Sequence, residues 1–135
     1  MTKDNPHAPF PGETAYLDTQ ILVVDDESSI RRYLSKMLER IGYRVTTAIS
    51  GQEALEHIAS GKIDLVILDL NMPGIDGTEV LQAAQSIAPD TVFIILTGYG
   101  TLESAIAGIR HGAHDYLLKP SSTSEIASAV EAGLA

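Results

Sequence analysis

A two-beat phrase runs through this chain five times: a short apolar run, then a stretch whose apolar residues recur at helical spacing. Ile21–Val24 is the first run, bounded by charge and short enough to read as a buried strand. Ile30, Leu34, Met37, Leu38 and Ile41 then fall on one helical face, and Gly42 stands where helices commonly end in a left-handed residue. Tyr43–Ala48 brings the β-branched Val45, Thr46 and Thr47, after which Ser50 and Glu53 have capping-box spacing for a helix to about Ser60. Leu65–Leu68 and Val92–Leu96 are further apolar runs, followed by helical stretches from about Thr78 to Ile87 and from about Leu102 to Arg110. Tyr116–Leu118 is the last strand, and Ser122 with Glu125 repeats the capping-box spacing ahead of Ile126, Val130 and Leu134.

Strands alternating with helices predict an α/β fold around a parallel sheet, because each helix returns the chain for another parallel strand. The first, third and fourth strands are apolar on both faces, which suits a sheet covered on both sides. With 135 residues the chain is long enough for one core and too short for two domains. Met1–Asp18, with three prolines and scattered apolar residues, reads as a mobile tail ahead of a domain over 19–135.

Composition removes several classes of function. No apolar run approaches the roughly 18 residues of a membrane helix, and the N-terminus shows no charged-then-apolar leader, so the cytoplasm is the expected compartment. The absence of cysteine excludes disulfides, thiolate metal sites and thiol chemistry. A net charge of −9 is the wrong sign for binding nucleic acid, whose affinity rests on neutralising phosphates.

In open α/β sheets, ligands bind beyond the carboxyl ends of the strands. Those positions hold Asp25 and Asp26 after the first strand, Asp69 after the third, Thr97 after the fourth and Lys119-Pro120 after the fifth. Three clustered carboxylates raise one another's pKa unless a cation joins them. Oxygen-only ligands favour a hard ion such as Mg²⁺, and Lys119 and Thr97 would then face an anion beside it. Such a set is rich in electrostatic stabilisers, which is what phosphoryl transfer mainly requires, and a carboxylate can serve as its nucleophile. Asp69 is the best placed.

Four segments carry a resemblance: VVDDE (Val23–Glu27), LDLNMPGIDG (Leu68–Gly77), ILTGYG (Ile95–Gly100) and YLLKP (Tyr116–Pro120). In this order and spacing they resemble the receiver domain of two-component response regulators, the CheY-like superfamily, over about Thr19 to Ala135. The resemblance implies a (βα)5 doubly wound, flavodoxin-like three-layer sandwich with strand order 2-1-3-4-5. It implies Asp69 as phosphoacceptor from a histidine kinase or phosphotransferase, with Mg²⁺ held by Asp26, by Asp25 mostly through water, by Asp69, and by the backbone carbonyl of Asn71. It further implies Thr97 as the switch hydroxyl, Lys119 as the phosphate-binding lysine, Pro120 after a cis bond, and Tyr116 as the switch aromatic. Phosphorylation would then change the face of the fourth helix, fifth strand and fifth helix, to control a homodimer or an output domain. One position departs from the commonest pattern: Gly98 stands where many receivers carry alanine, while Asn71 and Tyr99 hold the two variable positions that tune phosphoryl lifetime.

Rival readings stay open on the residues alone. A Mg²⁺-dependent phosphohydrolase using Asp69 would want a second aspartate two residues on, where this chain has Asn71. A flavin carrier would want a phosphate cradle where Asp25, Asp26 and Glu27 stand. A phosphate-independent adaptor would have no need of Asp26, Asp69, Thr97 and Lys119 together. His7, His57, His111 and His114 lack zinc-ligand spacing and read as surface histidines. Gly98-Tyr99-Gly100 is not a dinucleotide fingerprint.

Overall fold

Four apolar residues in a row fit a strand only if both faces of its sheet are covered, and β1 (Gln20–Val24) and β3 (Leu65–Leu68) meet that condition. In a computed structural model, which describes residues 18–70, 72, 77–98 and 102–135, they pair in parallel with Val24 opposite Leu68. β2 (Arg44–Ala48) flanks β1, and β4 (Val92–Thr97) and β5 (Ala113–Leu118) complete a five-stranded parallel sheet in the order β2-β1-β3-β4-β5. This is the doubly wound order the resemblance implied. The helices between them are α1 (Ser28–Ile41), α2 (Gly51–Ser60), α3 (Gly77–Ile87), α4 (Leu102–Arg110) and α5 (Thr123–Leu134).

Strand alternation divides the core into two apolar layers. Ile21, Val23, Leu65, Ile67, Ile94 and Leu96 pack on one side against Leu34, Met37 and Leu38 of α1 and Ile126, Ala129 and Val130 of α5. Leu22, Val24, Val66, Leu68, Phe93 and Ile95 pack on the other against Ala54 and Ile58 of α2 and Val80, Leu81 and Ala84 of α3. Each fully buried aliphatic side chain of this kind contributes roughly 1.5–3 kcal/mol. The three central strand ends are therefore held rigidly. No helix among the described residues is long and apolar enough to cross a membrane.

Local signals set most of the helix ends. Gly42 closes α1 at φ 119°, a left-handed conformation that glycine adopts without strain, and its amide reaches the carbonyls of Glu39 and Leu38. At α5 the capping box is complete, with Ser122 accepting from the Glu125 amide and Glu125 from the Ser122 amide. At α2 only half of it forms. Ser50 accepts from the Glu53 amide, but Glu53 Oε1 reaches back one residue further, to the Ile49 amide at 2.8 Å. β5 also starts earlier than its apolar residues indicate, at Ala113, because His114 and Asp115 lie on an edge strand open to solvent.

Candidate functional site

The register of the sheet brings the polar residues of the strand ends together. Since Val24 lies opposite Leu68, the next residues on the two strands are Asp25 and Asp69. Both are buried, at 2% and 5% exposure, although each carries a carboxylate. Thr97 ends β4 fully buried, and its carbonyl accepts from the Lys119 amide at 2.9 Å, which sets Lys119 one residue beyond β5. The Lys119–Pro120 peptide is cis.

Lys119 Nζ donates to Asp25 Oδ2 at 2.6 Å and to Asp69 Oδ2 at 3.3 Å, and lies 3.8 Å from Glu27 Oε1. Burial pulls its ammonium pKa down. The hydrogen bond to Asp25 and the charges of Asp69 and Asp25 outweigh that pull, and the net shift is upward from 10.5. Lys119 is thus a fixed cation at neutral pH. Asp26 is exposed, yet one oxygen each from Asp25, Asp26 and Asp69 lie within 4.8 Å of one another. The three clustered carboxylates, with Glu27 at their edge, share the ammonium of Lys119, and the donor set is all oxygen. That charge imbalance and that chemistry fit a hard divalent cation.

Of the residues singled out from sequence, Asp25, Asp26, Asp69, Thr97 and Lys119 stand at one rim. Asn71 and Tyr99 lie outside the described residues. Tyr116 is half-buried on β5, packed against the apolar layer on the α2–α3 side. Gly98 is exposed, and among the described residues a methyl group there would find only Lys119 Cδ, at 4.0 Å. None of the described residues forces the departure from alanine at this position by its bulk.

Two contributors escaped the sequence reading. The Glu27 amide donates to Asp25 Oδ1 at 2.9 Å, and Arg31 Nη1 donates to the Asp25 carbonyl at 2.7 Å. The only signal in sequence was a pair of basic residues, Arg31 and Arg32, early in a helix. Gly77, which closes the LDLNMPGIDG segment, has a steric role: a Cβ there would stand 2.7 Å from Leu70 Cα, so α3 starts hard against Leu70.

A family profile described as "Response regulator receiver domain" matches residues 21–131. Transcriptional regulatory protein PrrA of Mycobacterium leprae (strain TN) is 35% identical over 120 residues, which are 89% of this chain and 52% of that protein. The chain spans about half the length of the curated relatives it matches. Among solved structures, a response regulator receiver domain protein (CheY-like) from Methanospirillum hungatei JF-1 superposes with a TM-score of 0.84 at 31% identity, covering 86% of this chain and 93% of that one. A receiver domain from Clostridium thermocellum gives 0.81 at 37% identity, covering 86% and 94%.

Proposed function

The chain belongs to the response regulator receiver domain family, and from that premise we propose that it is a phosphorylation-driven switch whose phosphoacceptor is Asp69. In the reaction, a carboxylate oxygen of Asp69 forms a bond to phosphorus while the phosphorus–nitrogen bond of a phosphohistidine on a histidine kinase or phosphotransferase breaks. The product is an acyl phosphate, and the leaving imidazole takes up a proton. The observation that carries this reading is the single cluster at the strand ends: Asp25, Asp26 and Asp69 within 4.8 Å, with Lys119 bonded to two of them.

Asp25, Asp26 and Asp69, with the Asn71 carbonyl, would hold Mg²⁺. When bound, the ion supplies positive charge against the phosphoryl oxygens. Lys119 supplies a second, protein-borne charge to the same oxygens and needs only to exchange one carboxylate for another anion. Thr97, at the end of β4, offers a hydroxyl to the phosphoryl group, and Tyr116 on the neighbouring strand follows it. The readout is the face of α4, β5 and α5, where Ile106, Ile109 and Leu118 are exposed at 44%, 53% and 52%. Exposed aliphatic side chains in that number support a surface that a second copy or an output domain covers. Curated relatives of about twice this length are named as transcriptional regulators, which supports an output domain as one recipient of the signal. The domain is a switch that takes up and loses one phosphoryl group, with no turnover of a separate substrate.

The test is intact mass after incubation with Mg²⁺ and acetyl phosphate or phosphoramidate. A gain of one phosphoryl group, abolished by EDTA and by Asp69→Asn, is the expected result. No gain with either donor, in protein that still binds Mg²⁺, would overturn the switch and favour a phosphate-independent adaptor.

A further inference from the structure

Arg31 is a cation where its own helix does not favour one. It lies one turn into α1, whose first turn has no acidic residue, and the helix dipole places partial positive charge at that end. Its guanidinium is instead committed to a backbone atom of the site. Nη1 donates to the Asp25 carbonyl at 2.7 Å, a partly buried contact across six positions of sequence.

That bond completes the restraint of Asp25. The Asp25 amide donates to the Ala48 carbonyl at 3.2 Å, Oδ1 accepts from the Glu27 amide at 2.9 Å, and Oδ2 accepts from Lys119 at 2.6 Å. The carbonyl, the first beyond the end of β1, is held by Arg31. It shares a planar peptide unit with the Asp26 amide, so fixing one end of the unit fixes the other. Asp26 depends on this. Its side chain is exposed and, among the described residues, has neither a hydrogen bond nor an ion pair to steer it. Its carboxylate nevertheless stands within 4.8 Å of those of Asp25 and Asp69.

We propose that Arg31 is a positioning residue for the cation site: by holding the Asp25–Asp26 peptide it points Asp26 at the other two carboxylates. This inference rests on the Mg²⁺ reading above. The sign of the effect on Mg²⁺ binding separates a positioning role from a charge effect. An arginine acting only through its charge would repel Mg²⁺, and removing it would tighten binding. An arginine that positions a ligand does the opposite, and loss of such an outer partner typically weakens a metal site 10–100-fold.

The test is calorimetric titration of the full chain with MgCl₂, comparing wild type, Arg31→Met, Arg31→Lys and Arg32→Met. Arg31→Met is expected to bind about tenfold more weakly. Arg32→Met, which removes the same charge from an exposed neighbour, is expected to bind as wild type or slightly more tightly. Arg31→Lys, whose ammonium can donate to the same carbonyl, is expected to recover most of the loss. In EDTA, the Asp26 amide resonance is expected to move in Arg31→Met and stay in Arg32→Met. Should Arg31→Met not fold, Arg31→Gln, too short to reach the carbonyl, takes its place. Binding by Arg31→Met equal to or tighter than wild type, or no recovery by lysine, overturns the inference alone. Wild type that binds no Mg²⁺ overturns the metal reading and this inference with it.

Discussion

Replacing Asp26 with asparagine keeps the shape of the side chain and deletes one charge from a cluster with too many of one sign. The carboxylate oxygens of Asp25, Asp26 and Asp69 lie within 4.8 Å of one another. One such like-charge pair costs about 0.9 kcal/mol in bulk water and about 3.5 kcal/mol at the effective dielectric near a protein surface. Asp26 faces the carboxylates of Asp25 and Asp69, which share the countercharge of Lys119, so about one unit of repulsion is left uncompensated. Because Asp26 is exposed, the lower end applies, and Asp26→Asn is expected to stabilise the metal-free protein by about 1 kcal/mol. In a domain of this size that is a rise in Tm of about 4 °C. Urea unfolding in EDTA measures it directly, and the gain should shrink in high salt, where exposed charges are screened. With Mg²⁺ the order inverts. A site occupied at ten times its Kd stabilises wild type by about 1.4 kcal/mol, and the variant, lacking a ligand, gains little. Destabilisation by Asp26→Asn in EDTA, a gain indifferent to salt, or an undiminished response to Mg²⁺ would refute this account of the cluster.

Lys119→Met should cost about 3 kcal/mol near neutral pH, because it leaves buried Asp25 and Asp69 without their cation. Since the folded pKa of Lys119 is raised, its contribution is complete below its unfolded value near 10.5 and is lost as pH rises through the folded value; the difference between variant and wild type, followed by urea unfolding, should be flat from pH 6 to 9 and shrink only in strong alkali. Gly77→Ala should destabilise by about 1–3 kcal/mol in thermal unfolding even though alanine is the better helix former, because its Cβ would stand 2.7 Å from Leu70 Cα. Gly98→Ala, whose nearest atom among the described residues is at 4.0 Å, should stay within about 0.5 kcal/mol of wild type in the same assay.

The parts of this fold that were legible in sequence are those fixed by burial. Ile21–Val24 and Leu65–Leu68 have no polar face to offer, so they could only be central strands, and everything polar just beyond them had to gather at one rim. β5 was legible only in its second half. His114 and Asp115 sit on an edge strand, where side chains turn to water and leave no apolar pattern. Ser50 and Ser122 look alike in sequence, each with glutamate three residues on, yet only Ser122 gains the reciprocal bond. The difference is which amide the glutamate meets, and that depends on the path of the chain entering the helix. Arg31 was hidden for a related reason. Its acceptor is a backbone carbonyl, which every residue has and no sequence marks.

The cluster also shows how the rest of the molecule sustains an arrangement that is locally unfavourable. Asp25 and Asp69 follow Val24 and Leu68, which face each other in register on neighbouring strands. Strands in a sheet lie about 4.8 Å apart, so the two carboxylates cannot separate without breaking the β1–β3 pairing. That pairing is locked by both apolar layers, through Val23 and Ile67 on one side and Val24 and Leu68 on the other. The repulsion between the carboxylates is therefore carried by the core and relieved only in part by Lys119. A site built this way keeps a standing preference for a cation, and any added anion must bring countercharge or draw on Lys119. A phosphoryl group on Asp69, as proposed above, would be linked to the position of Lys119 by charge alone. The proposed signal through β5 would then start from Lys119, the residue that already bridges Asp25 and Asp69.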